Sequence, residues 1–144
     1  MLYGSLIHPG LLAAVAGAGH GARVVITDAN FPASTQVPFG APVFHLNLSP
    51  GVATVTQVLS ALVSATPVEA VCVMRVDDEG PYTMASEPEA WAELRSVLPD
   101  SAGELDQLER ASFYEACSSG DVAAVVVSGD QRWYANVILT IGVR

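Results

Sequence analysis

The chain has 144 residues, of which 51% are hydrophobic and 15% charged, with a formal net charge of −9. That length predicts a single domain spanning 1–144, apolar enough to fill a core and too weakly charged for a disordered segment. Its six basic side chains besides histidine are all arginines, which excludes chemistries that need a lysine: Schiff bases, pyridoxal phosphate attachment and the phosphate-binding loop.

An acidic surface without a basic patch also argues against nucleic acid as a partner. Cys72 and Cys117 lie 45 positions apart in apolar surroundings and form no C-x-x-C pair, so they read as buried, reduced thiols. No charged leader and no apolar run of ~18 residues is present, so a soluble, cytoplasmic protein without membrane association is expected.

The first expected element is a helix opening at His8-Pro9 and running through Leu11, Leu12, Val15 and Ala18, with proline tolerated in its first turn. Gly17 and Gly19 end it. Residues 17–22 loosely match a dinucleotide-binding pattern, but that fingerprint needs a strand before it and a helix after it, and here the order is reversed. Residues 24–27 form an apolar β-favouring run closed by Asp28. His20 precedes the run between Gly19 and Gly21, so a proton-transfer group and a carboxylate are expected together at one edge of a sheet, with the carboxylate at the C-terminal end of its strand.

A polar loop over 32–42 comes next, long enough to be functional or to reach a neighbouring molecule. Residues 43–48 suggest a short strand. Residues 52–63 read as a helix with Val55, Val58, Leu59 and Leu62 on one face, and 68–76 as an apolar strand. Ser86-x-x-Glu89 has the form of a capping box opening a helix that carries Trp91, Leu94 and Leu98. Ser101-x-x-Glu104 and Ser112-x-x-Glu115 repeat that signal for two short helices, the last stopped by Gly120. Residues 122–127 and 134–141 complete the apolar strands. Strands apolar on both faces that alternate with helices predict a three-layer α/β/α sandwich around a mostly parallel sheet, with the final pair of strands a candidate for antiparallel pairing.

Among groups able to do chemistry, Tyr134 and Asn136 are two apart at the start of the last expected strand and so share a side. The tyrosine can exchange protons and the asparagine both donates and accepts, which suits sugar hydroxyls and equally suits a solvated strand end. Arg110 offers a fork of donors, or is a surface arginine between helices. Phe113, Tyr114 and Trp133 can stack on the apolar face of a sugar or belong to the core. Three histidines without metal-ligand spacing predict no metal, and no nucleophile elbow is present.

Taken together, His20, Asp28-Ala-Asn-Phe-Pro32, Arg110-x-x-Phe113-Tyr114-Glu115, Gly129-x-x-x-x-Tyr134-x-Asn136 and Gly142-Val143 resemble, in order and over nearly the whole chain, the family of D-ribose pyranase and L-fucose mutarotase. The resemblance implies a cofactor-free enzyme that interconverts ring forms of a free monosaccharide. It places His20 and Asp28 in the acid–base region, makes Tyr134 and Asn136 sugar-contacting, and matches Arg110 to the arginine of the fucose-type branch. The roles expected are His20 moving the proton, Asp28 positioning it or the sugar, and Tyr134 acting as the proton-transfer partner at the ring oxygen or anomeric hydroxyl. It also implies a ring-shaped homo-oligomer, typically a decamer, with sites built across subunit boundaries. The C-terminal motifs are fucose-type, whereas Leu46-Asn-Leu-Ser-Pro-Gly51-Val is closer to the ribose-type segment. A non-catalytic sugar-binding protein of the same fold is the alternative, which the glycine-flanked His20 disfavours.

Overall fold

The computed structural model describes residues 2–144. Its centre is a six-stranded sheet: β1 Arg23–Thr27, β2 Val43–His45, β3 Val68–Met74, β4 Leu105–Leu108, β5 Val122–Val127 and β6 Val137–Ile141. The strands lie in the order β2-β5-β1-β6-β3-β4. β1, β2 and β5 pair in parallel, as do β3 and β4, while β6 runs antiparallel to both β1 and β3. The sheet is therefore mostly parallel, with one reversed strand at its middle. The last two strands do not pair with each other, because β1 lies between them.

Four helices surround this sheet: α1 Pro9–Gly17, α2 Val55–Val63, α3 Glu89–Val97 and α4 Arg110–Cys117. Strand alternation divides the core in two. Val24, Ile26, Val71, Val73, Val137 and Leu139 face the larger cluster, which also holds Leu11 of α1, Leu59 and Leu62 of α2 and Trp91 of α3. Val25, Met74, Val125 and Ile138 face the other side, covered by Phe113 and Cys117 of α4. Three helices thus cover one face and a single helix the other, completing the α/β/α layering. Among the described residues no helix is long and apolar enough to cross a membrane.

Several elements depart from the sequence reading. β2 is shorter than 43–48. α2 begins at Val55, because Thr54 accepts from the Gln57 backbone N–H while the Gln57 side chain accepts from the Thr54 N–H, a true capping box that fixes the start. The two serine boxes expected at 86 and 101 do not form. Pro88 occupies the cap of α3 without a side-chain bond, and Ser101 sits in a 3-10 turn, Asp100–Ala102, where its hydroxyl donates to the Val68 carbonyl. That turn leads into the edge strand β4 rather than into a helix. Ser112 is interior to α4, which starts at Arg110 behind Glu109.

Candidate functional site

Because β6 is antiparallel, its entrance lies at the same sheet edge as the exits of β1 and β3. A cleft of about 360 Å³ opens there, lined by Asp28 and Asn30 after β1, Met74 at the end of β3, Arg110 and Tyr114 of α4, and Trp133, Tyr134 and Asn136 before β6, with Phe31 and Tyr82 at its sides. Arg110 and Tyr114 share a helix face because they are four residues apart, and Phe113 on another face goes into the core, fully buried. Phe113 is therefore packing rather than a sugar platform. Of the eight side chains singled out from sequence, six meet in this cleft: Asp28, Arg110, Tyr114, Trp133, Tyr134 and Asn136.

His20 does not. It precedes β1, whereas Asp28 follows it, and five residues at about 3.3 Å each put them roughly 16 Å apart on opposite edges of the sheet. There the imidazole Nε2 lies 2.9 Å from Oε2 and 3.1 Å from Oε1 of Glu69, with both side chains largely in solvent. The expectation that one strand delivers both groups to one edge is corrected on this point. The remaining histidines are structural or exposed: His8 Nδ1 accepts from Leu11 N–H and caps α1, and His45 ends β2 in the open.

Asp28 is buried and clamped. The Asn136 Nδ2 donates to its Oδ2 at 2.9 Å, the Asn30 N–H donates to its Oδ1 at 2.8 Å, and the Asp28 N–H donates to Asn136 Oδ1 at 2.8 Å. Burial pushes its carboxyl above the ordinary value, outweighing the hydrogen bonds from Asn30 and Asn136. Asn136 thus spends both ends of its amide holding Asp28.

Tyr134 is a non-glycine residue with φ of +58°, a backbone state found most often where surrounding contacts over-determine it. Here Trp91 Nε1 donates to its carbonyl at 3.0 Å. Its hydroxyl accepts from Arg110 Nη2 at 3.0 Å and from the Asp77 N–H at 3.2 Å, and donates to the Tyr82 carbonyl at 2.7 Å. Neither Tyr134 nor Asn136 lies on the strand itself. Both are in the entry to β6 and reach the cleft through these contacts rather than by strand alternation. Asp77 and Tyr82 carried no sequence signal of their own, since their partners lie 57 and 52 positions away.

Aromatic rings form the outer wall. Tyr82 and Trp133 meet edge to face at 6.1 Å, and Phe31 and Tyr114 are 5.7 Å apart. The thiols take no part in the cleft: Cys117 is buried, and burial pushes it up to about 12.

With this geometry in view, comparison with known proteins decides the family. Residues 1–144 match the RbsD / FucU transport protein family. The chain belongs to that family. Its relatives include the D-ribose pyranase of Paracidovorax citrulli, 33% identical with 96% of this chain and 95% of the relative covered. The human fucose mutarotase is 30% identical over 96% of this chain and 90% of its own. Among solved structures, Bacillus subtilis RbsD complexed with D-ribose superposes with a TM-score of 0.81 at 27% identity, covering 100% of this chain and 98% of that one. The family resemblance read from the scattered motifs is thereby established, and with it the fold.

Proposed function

We propose that this protein is a cofactor-free isomerase that interconverts ring forms of a free monosaccharide, L-fucose-like first and D-ribose-like second. The observation that carries the reading is the Asp28–Asn136 clamp: a buried carboxylate of raised basicity, fixed by an amide, opening into a cleft walled by Arg110 and aromatic rings. The relatives named as pyranase and mutarotase support the same reading.

Ring opening needs one proton taken from the anomeric hydroxyl and one delivered to the ring oxygen as the C1–O bond breaks. Rotation and reclosure of the aldehyde reverse both transfers. Each Asp28 oxygen keeps a lone pair beyond its present partner, so the carboxylate accepts and orients the anomeric hydroxyl. Tyr114 and Trp133 offer ring faces to the sugar's C–H surface. Asn136 holds Asp28, and its second amide hydrogen remains for a sugar hydroxyl. Tyr134, whose own proton lies on the Tyr82 carbonyl, orients Arg110 rather than moving a proton, a revision of the role expected from sequence.

His20 is the remaining acid–base group, and in one chain it is at the wrong edge. The proposed enzyme is therefore a ring-shaped homo-oligomer, a decamer by family resemblance, in which His20 of one copy serves the cleft of another. General acid–base catalysis of this kind contributes about 10²–10⁴-fold.

The test is exchange NMR of anomeric protons with L-fucose, D-ribose, D-galactose and D-glucose. Accelerated exchange of at least one sugar is expected. Binding without acceleration of any would leave a sugar-binding protein in place of an enzyme.

A further inference from the structure

Asp77 follows β3 and touches both polar side chains of the cleft's far wall. Its Oδ1 and Oδ2 accept the Arg110 Nε–H at 3.3 and 3.2 Å, and its Oδ2 accepts Arg110 Nη2 at 2.7 Å. Its backbone N–H donates to the Tyr134 hydroxyl, which Arg110 Nη2 also reaches. That hydroxyl in turn holds the Tyr82 carbonyl, and the Arg110 guanidinium stands 5.2 Å from the Tyr82 ring centre. Arg75, bonded to Asp78 and to Glu109 beside α4, ties the same segment down from behind.

A guanidinium is a rigid planar fork. Its Nε/Nη2 edge is spent on Asp77 and Tyr134, so its orientation is set, and Nη1 is the nitrogen these two leave unused. Among the described residues, the only charged ones lining the cleft are Asp28 and Arg110, and Arg110 is already neutralised by a carboxylate in contact. An anionic ligand would meet no unpaired cation and would face Asp28, whereas an uncharged polyol meets fixed donors and acceptors.

We propose that Asp77 is a positioning residue that aims Arg110 into the cleft and, by neutralising it, restricts the cleft to uncharged sugars. This rests on the reading of the cleft as a sugar site.

The experiment uses the assembled protein and the variant Asp77→Asn, comparing anomer exchange of D-galactose with that of D-galacturonate, the same ring with a carboxylate at C6. Exclusion by charge is a difference between two ligands, so the galacturonate-to-galactose ratio of kcat/KM is expected to rise about tenfold or more in Asp77→Asn. Asp77→Glu is expected to restore it toward wild type. An unchanged ratio in the assembled variant overturns the proposal. Asp77→Ser, which removes the same charge with a smaller side chain, replaces Asp77→Asn if the latter does not assemble.

The NMR resonance of the Arg110 Nε–H, slowed in exchange by its carboxylate in the wild type and lost in the variant, reports the positioning without any turnover. If the wild type accelerates neither sugar, that resonance alone decides: its retention in Asp77→Asn overturns the positioning role. The isomerase reading itself falls only when the whole sugar panel is silent.

Discussion

Asp28 combines burial with a hydrogen bond to each carboxylate oxygen, and burial prevails, holding its carboxyl above the ordinary value. A raised folded-state value means the group binds protons more readily folded than unfolded. Its contribution to stability is therefore complete below the unfolded value and is lost as pH rises through the folded one. In the proposed reaction the same shift favours catalysis, since a more basic carboxylate orients and accepts from a hydroxyl more strongly. If Asp28 acts ionised, the acid limb of the kcat/KM profile for anomer exchange is expected above the ordinary carboxylate range. In Asp28→Asn that limb should vanish together with most of the acceleration. A wild-type limb at the ordinary carboxylate value would separate Asp28 from the step. Asp130 shows the opposite balance. Burial pushes it up, but the Arg132 fork and the N–H groups of Arg132 and Val55 hold it below the usual carboxylate range. Asp28 lines the cleft, whereas Asp130 anchors the start of α2.

At the scale of elements, the segment between β2 and α2 is seated on the exit of β5. Gly51 N–H donates to the Gly129 carbonyl at 2.7 Å, and Gly129 N–H donates to the Ala53 carbonyl at 2.8 Å. A side chain at Gly129 would place its Cβ 2.0 Å from the Val52 carbonyl oxygen and 2.6 Å from that of Ser49, both backbone atoms that cannot swing aside. Gly129→Ala is expected to lower stability by about 1–3 kcal/mol, the usual range for an overpacked site, read as a fall in Tm. An unchanged Tm would show that the 49–53 segment is free to shift. Which elements were legible from sequence obeys the same local logic. The central strands announced themselves because both of their faces are buried, so 24–27 and 122–127 are unbroken apolar runs. β4 was hidden because it is an edge strand with exposed Asp106 and Gln107, and its preceding Ser101 imitated a cap. In the cleft, Asp28, Arg110, Tyr114, Tyr134 and Asn136 were readable as polar or aromatic groups at element ends. Asp77 and Tyr82 were not, since their places depend on long-range partners. The separation of His20 from Asp28 was implicit in the strand between them, because residues that flank a strand must emerge at its two ends.

For the whole molecule, that separation becomes the argument for assembly. One chain exposes Tyr3, Ile7, Phe39, Leu48 and Val143, and Phe39 belongs to the 32–42 loop expected to reach a neighbour. If a neighbour's His20 completes each cleft, His20→Ala and Asp28→Asn are each expected to abolish most of the acceleration in homomers while leaving folding and assembly intact. The two defects then sit on different copies of the chain. Mixing equal amounts of the two inactive variants under conditions that let subunits exchange should regenerate some clefts with an intact Asp28 and an intact partner histidine. Random assembly makes these about a quarter of all sites, as expected where one heterologous interface joins two independent choices of subunit. Recovery of anomer exchange toward that level, absent when each variant is incubated alone, would be the signature of a site shared between copies. A mixture that exchanges subunits, as followed by mass spectrometry, yet stays as inactive as its components would place both groups in service of the same chain's cleft or remove His20 from the chemistry altogether.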